Sequence, residues 1–396
     1  MQPLRERYDV VIVGGAAVGS AAAYFLAADP AFAGASLLVV EKDASYREAA
    51  TTLSAASIRH QFSTPENIRL SQFGTAFLRE VGTALRVDDE VPNVGFREGG
   101  YLFLAGPEGL TALETRHETQ RALGADVRLL KPQLLAECFP WLATGDLAGA
   151  SLGLSGEGWL DAWSLLRALK RKARSLRAEY VEDCVVGLSR RGRRIESVRL
   201  AGGATVGCRW LLNCAGTGAT SLAALAGIEL PVEARKRCVF HFQCATPISG
   251  SPLVVDPSGA WFRPEGPGWI AGIAPPPGAD PVDPGFEVDW SQWEERLWPL
   301  LAARVPAFEA VRVKSAWAGH YDVNTLDCNA ILGPHPGLDN LLFANGFSGH
   351  GLQQAPAVGR ALAEWVTTGA SRSLDLSRFG WARVLAGQAL RESEVV

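Results

Sequence analysis

Residues 8–41 read YDVVIVGGAAVGSAAAYFLAADPAFAGASLLVVE. A β-rich run stops on two glycines, small apolar residues carry on to Ala28, and a second β-branched run closes on Glu41. The pattern predicts a strand over 8–13, a tight turn over 14–19, a helix to about 28 and a strand over 36–41. Strand, helix and strand at this spacing imply a parallel sheet with a right-handed crossover. Gly14 allows the turn and Gly19 allows the helix to approach the sheet. The helix N-terminus then offers free N–H groups and a positive dipole end to a phosphate, with Ala17 and Val18 in its first turn. The middle position of the fingerprint is Ala16, where a glycine is usual. Glu41 lies 27 residues after Gly14, followed by Lys42. An acid there hydrogen-bonds ribose hydroxyls and disfavours a 2′-phosphate, so this stretch alone leaves NAD and FAD both open.

The apolar run 10–28 is as long as a membrane span. Gly14, Gly15 and Gly19 punctuate it and only seven residues precede Tyr8, so no membrane span and no targeting segment are expected. The 396 residues suggest two intimately packed domains. A formal net charge of −4 without a dominant basic patch argues against nucleic acid as a partner. The basic run 170–177 reads as the solvated face of a helix. Seven scattered cysteines with no C-x-x-C pair point to reduced thiols, no metal site and a cytoplasmic chain.

Farther along, the pattern predicts helices over 65–81, 107–123, 131–137 and from 162 to about 177, and a hairpin-like stretch near 95–104. Strands crowd 178–213, and Cys214-Ala215-Gly216-Thr217-Gly218 forms a second strand-to-helix glycine turn. The chain is strand-rich from 235 to 319, with an amphipathic helix over 290–303 and a turn-dense loop over 275–283. It ends in two strands, over 329–332 and 341–345, and a helix over 352–366. The turn before that last helix, Gly346-Phe347-Ser348-Gly349-His350-Gly351-Leu352, again points a helix N-terminus at a ligand.

The segments VVIVGGAAVGSAAAYFLA (10–27), WAGHYDVNTLDCNAILGPHP (317–336) and GFSGHGLQQAPAVGRALAEWV (346–366) resemble the D-amino-acid-oxidase (DAO) superfamily of FAD oxidoreductases, in its sarcosine/glycine oxidase branch. TLSAASIRHQFSTPENIRLS (52–71) and DPSGAWFR (256–263) extend the likeness over nearly the whole chain. The resemblance implies an α/β fold in which a Rossmann-like FAD-binding domain (1–90, 148–228 and 322–396) interleaves with an α+β, mixed-sheet substrate domain (91–147 and 229–321). It implies FAD oxidation of a C–N bond, with hydride passing from the substrate α-carbon to flavin N5 and the imine then hydrolysed. The substrate would be a small amine or amino acid, and the electron acceptor O2 or an acceptor protein. A 2-hydroxy acid dehydrogenase, or an assembly protein that keeps FAD without turnover, are the alternative readings.

Within that resemblance, Arg59 matches the arginine that binds a substrate carboxylate, and Tyr321 and His350 should lie beside flavin and substrate. Sarcosine oxidases add a lysine to the clamp; Gln353 stands there, and Arg263 is the candidate replacement cation, which would suit a dicarboxylate. Trp261 replaces a pocket tyrosine. The cofactor is expected to contact Gly14, Ala16, Ala17, Val18, Gly19, Glu41, Lys42, Ser54, Val185, Cys214, Ala215 and Gly216. At the C-terminal turn the expected contacts are Gly346, Ser348, Gly349, His350, Gly351, Leu352 and Gln353. The family's flavin-linking cysteine aligns with Gly319, so FAD is expected to be non-covalent, with Cys328 and His60 as the alternative attachment points. Its oxygen-activating lysine aligns with Ile270, which points towards a dehydrogenase.

Overall fold

The computed structural model describes residues 2–276 and 278–392. Residue 277 of the turn-dense loop and residues 393–396 of the expected third cofactor segment lie outside the described residues.

Two eight-stranded sheets organise the chain. In the first, Leu341–Asn345, Thr205–Asn213, Arg7–Val13, Leu37–Glu41 and Glu179–Glu182 lie side by side and parallel. Ile331–Pro334 pairs antiparallel at one edge, and the Val185–Arg191/Arg194–Leu200 hairpin hangs from Thr205–Asn213. Both faces are covered. Val10 and Ile12 enter one apolar cluster, Val11 and Val13 the other, each cluster on its own side of the sheet. That is why these strands are continuous apolar runs with no polar alternation. Each fully buried Val or Ile adds about 1.5–3 kcal/mol. The helix Ala17–Ala28 packs on Gly351–Thr368, and Gly359 permits it, since a Cβ there would run into the backbone of Ala21 and Ala22.

The second sheet is mostly antiparallel, ordered Val311–Asn324, Val232–Cys244, Gly268–Ile273, Ala260–Glu265, Leu253–Val255, Tyr101–Ala105, Gly149–Gly153 and Val127–Leu130. Its two longest strands pair along their length, setting Arg235 opposite Tyr321 and Arg237 opposite Gly319. Phe240, Phe242, Phe262, Trp269, Trp293 and Phe308 fill one face with tilted and edge-to-face rings. Strand Gly149–Gly153, which the boundary at 148 assigns to the cofactor segment, pairs within this sheet.

Two local expectations change. The stretch 95–104 is not a hairpin. Arg97 bridges to Trp159 and Gly100 N–H donates to Glu157 O (3.0 Å), so the chain crosses Trp159 before the Tyr101–Ala105 strand starts. The helix expected over 290–303 is a π-helical turn, Gln292–Leu297, followed by the α-helix Trp298–Arg304. Pro299 has no N–H to donate into the preceding turn, and the coil widens ahead of it.

The C-terminal region is held by Arg383. Its Nε donates to Asp327 (2.7 Å), and its Nη2 donates to the carbonyls of Asn329 and Ala330 (both 3.0 Å). Asp327 also accepts from Asn324 Nδ2, Asn329 N and Leu390 N. Removing one partner of a buried pair strands the other, so Arg383→Ala is expected to cost about 3–5 kcal/mol in denaturant unfolding of the flavin-loaded protein. An unchanged midpoint would contradict this. Among the described residues no helix is long and apolar enough to cross a membrane.

Candidate active site

The glycine turn is built as its sequence requires. Gly14 has φ +95°, and a Cβ on it would strike the backbone of Cys214 and Ala215. Gly19 has its surface against Gly14 O, which is close helix packing rather than ligand contact. Ala16 is the N-cap of the helix at φ −72°, a conformation any L-residue adopts. The missing glycine therefore brings no backbone strain. Ala17 N–H donates to Thr51 Oγ1 (3.2 Å), and Glu41 Oε2 accepts Gly15 N–H (2.7 Å). Thr51 went unremarked in the sequence because its role depends on a 34-residue return of the chain.

A cavity of about 340 Å³ runs from this turn to the C-terminal helix. Of the residues expected to contact the cofactor, Gly14, Ala16, Ala17, Val18, Glu41, Lys42, Ser54, Val185, Cys214, Ala215, Gly216, Gly349, Gly351 and Leu352 line it. The helices Ala17–Ala28 and Gly351–Thr368 both open their N-termini onto it, and a Cβ on Gly216 would meet nothing within 4 Å. Two helix N-termini, an acid at a strand end and a backbone facing open space fit a dinucleotide. Gly346 and Ser348 shape the turn from behind. Gly346 N–H donates to Asp322 Oδ2 (2.8 Å), and Ser348 Oγ accepts Asn324 N–H (3.0 Å). Burial raises the Asp322 carboxyl to about 6.

A second cavity of about 40 Å³ adjoins the first, sharing Tyr321 and Gly349 with it. Arg59, Tyr101, Trp261, His350 and Gln353 also line it. Arg59 is 2% exposed. Its guanidinium lies over Phe62 (4.1 Å) and near Phe103 (5.1 Å) and Tyr101 (5.9 Å). Arg59 N–H donates to Gln353 Oε1 (3.0 Å), so the residue at the lysine position anchors the arginine's backbone. Arg59 Nη2 lies 3.2 Å from His350 Nε2. Burial, then the Arg59 charge, holds His350 well below its ordinary pKa, so the neutral ring accepts that bond. The Tyr321 ring lies against Gly349, with the Arg237 guanidinium 5.1 Å from its centre and paired with Asp280. Burial raises the Tyr321 phenol, which stays protonated. Gly272 leaves room for the Trp261 ring.

Arg263 departs from its expected role. Its Nε and Nη2 donate to Ala55 O (3.1 and 2.7 Å), its Nη1 donates to Pro264 O (2.8 Å), and it pairs with Glu265. A buried guanidinium must satisfy its donors, and these neighbours do so. It lines neither cavity, which leaves Arg59 as the cation of the small one. Gly319 carries no thiol, and neither Cys328 nor His60 lines either cavity. His60 Nε2 lies 2.9 Å from Thr75 Oγ1, and burial lowers it to about 4. Ile270 is buried in its strand opposite Arg263 and His241 and lines neither cavity.

The family model described as "FAD dependent oxidoreductase" (DAO) matches residues 9–365. The chain is 42% identical over 425 residues to the FAD-dependent oxidoreductase domain-containing protein 1 of Xenopus laevis, covering 99% of this chain and 85% of that protein. It is 43% identical over 422 residues to the Bos taurus protein of the same name, covering 98% and 87%. Among solved structures, an L-proline dehydrogenase from P. horikoshii superposes with a TM-score of 0.86 at 25% identity, covering 98% of this chain and all of that one.

Proposed function

The chain belongs to the DAO family of FAD-dependent oxidoreductases, and from that premise we propose that it oxidises the C–N bond of a secondary amine or N-substituted amino acid bearing a carboxylate. One observation carries the reading: a buried arginine in an aromatic box, hydrogen-bonded to a neutral histidine, in a cavity that adjoins the cofactor cavity through Tyr321 and Gly349. When bound, FAD supplies the two-electron acceptor, at N5, for hydride from the substrate α-carbon.

The chain's own residues do the rest. Arg59 grips the carboxylate and fixes the α-carbon. Phe62, Tyr101, Phe103 and Trp261 exclude water and strengthen that charge pairing. His350, neutral, keeps the guanidinium oriented. The amine must lose its proton before hydride leaves; the resulting imine adds water and separates into a carbonyl compound and an amine. The similarity to an L-proline dehydrogenase, named for an amino acid with a secondary amine, supports this class.

The test is anaerobic mixing of the purified flavoprotein with sarcosine, glycine, proline, iminodiacetate and 2-hydroxyglutarate. Bleaching of the flavin absorbance is expected with an N-substituted amino acid and not with the hydroxy acid. Bleaching by the hydroxy acid alone would replace the proposal, and bleaching by none would leave the amine reading without support. We expect slow reoxidation in air, as befits Ile270 at the lysine position, and release of the flavin by acid precipitation, as befits non-covalent FAD.

A further inference from the structure

Behind Arg59 lies a carboxyl group that the proposed reaction does not use. Glu157 is 1% exposed, in the bend between Gly149–Gly153 and Gly158–Trp159. It accepts the N–H groups of His60 and Gln61 (the latter 3.1 Å) on Oε1, and Gln61 Nε2 (2.8 Å) on Oε2. Gly153 makes space for it, since a Cβ there would overlap the carboxyl group. Gln61 Nε2 also donates to Tyr101 O (3.0 Å), tying the carboxyl group to a wall of the small cavity. The Arg59 segment is therefore clamped between Gln353 on the cofactor side and Glu157 on the other.

We propose that Glu157 couples carboxylate binding at Arg59 to proton uptake. The proposal rests on the reading of Arg59 as the carboxylate anchor. An anion arriving at Arg59 spends that cation's attraction and adds a like charge nearby, in a region of low dielectric. Both effects disfavour the ionised form of Glu157, so the bound complex takes up a proton from solvent.

Burial raises Glu157 to about 7, against the opposing pull of its three N–H donors and of Arg59. The charged and titratable groups around it stay fixed near neutral pH. His60 is held low by burial, and Tyr101 is pushed up by it. Glu98 is lowered by its Arg79 partner. His350 is held low by burial and then by the Arg59 charge, and Glu392 is lowered by its hydrogen bonds to Ser63 and by the Arg59 charge, so any response of Glu392 to the ligand is the uptake that persists in Glu157→Gln. Burial lowers Arg263, against the opposing pull of its Glu265 partner. Asp322, raised to about 6 by burial, lines the large cavity and not the small one that holds Arg59.

The sign follows. Ligand raises the Glu157 pKa above about 7, so binding is weakest at alkaline pH. It tightens as pH falls through the raised value and levels off once Glu157 is protonated in the free protein too. A shift on the order of one unit makes the Kd roughly fivefold tighter at pH 7 than at pH 9.

The experiment is calorimetric titration of the FAD-loaded protein with furan-2-carboxylate, a carboxylate with no amine to titrate. It is run from pH 6 to 9 in buffers of different ionisation heat. The expected result is fractional proton uptake between pH 7 and 9, the matching fall in Kd, and loss of both in Glu157→Gln. A pH-independent Kd without uptake in the wild-type protein overturns the coupling and needs no variant. Uptake that persists in Glu157→Gln assigns it to another group and also overturns it. No binding at any pH overturns the anchor reading itself, and the coupling with it.

Discussion

Arg59→Ala is expected to lower kcat/KM for a carboxylate-bearing amine by about 10²–10⁴, the factor set by losing about 3–5 kcal/mol from a buried charge pair. The pair would be desolvated on every side. Arg59 is 2% exposed, with three aromatic rings within 6 Å of its guanidinium and His350 at 3.2 Å. Alanine also leaves His350 Nε2 without this donor and removes the charge that draws Glu157 down. Arg59→Lys keeps the charge but not the planar two-pronged grip, and should recover only part of the loss. The flavin absorbance spectrum should survive, because Arg59 does not line the cofactor cavity. An amine substrate without a carboxylate provides the control. If its kcat/KM falls as far as that of the carboxylate substrate, Arg59 is a structural residue and not the anchor.

Most of the lining of the large cavity was legible because local sequence decides it. Turn, strand end and helix start follow from glycine spacing and apolar runs, so fourteen of the nineteen expected residues line one cavity, while Gly19, Gly346, Ser348, His350 and Gln353 do not. Where that reading differs, the cause lies in distant partners. Gly346 and Ser348 were expected against the ligand, yet they serve Asp322 and Asn324 on a strand more than 20 residues earlier. Arg263 looked like a free cation until Ala55, some 200 positions earlier, supplied its acceptor. Glu157 carries no sequence signal at all. An isolated acid in a Ser-Gly-Glu-Gly stretch reads as a solvated turn, and only the sheet register of Gly149–Gly153 brings it under Arg59. Substrate-site residues come from many segments, each with a single side chain, and no short pattern announces them.

Gly349→Ala should weaken FAD binding on the order of 10²–10³-fold while leaving the fold intact. Gly349 has φ +97°, a conformation that costs an L-residue roughly 1–2 kcal/mol. Its Cβ would come within 2.5, 2.7 and 3.0 Å of three Tyr321 ring atoms. The ring cannot simply swing away, since Arg237 lies 5.1 Å from it and is fixed by Asp280 at 2.8 and 2.9 Å. Overpacking of this kind costs about 1–3 kcal/mol, and it falls on the turn that starts the cofactor-facing helix. The two costs together are relieved if the turn shifts, and a shifted turn no longer presents Gly351 and Leu352 to the ligand. The readouts are the flavin-to-protein absorbance ratio after gel filtration and a fluorescence titration of apoprotein with FAD. Gly369→Ala separates backbone strain from damage at the site. Gly369 has φ +81° and nothing within 4 Å of a Cβ, so that variant should lose about 1 kcal/mol of stability and keep its FAD. Equal FAD affinity in both variants would mean that the Tyr321–Gly349 contact does not shape the cofactor site.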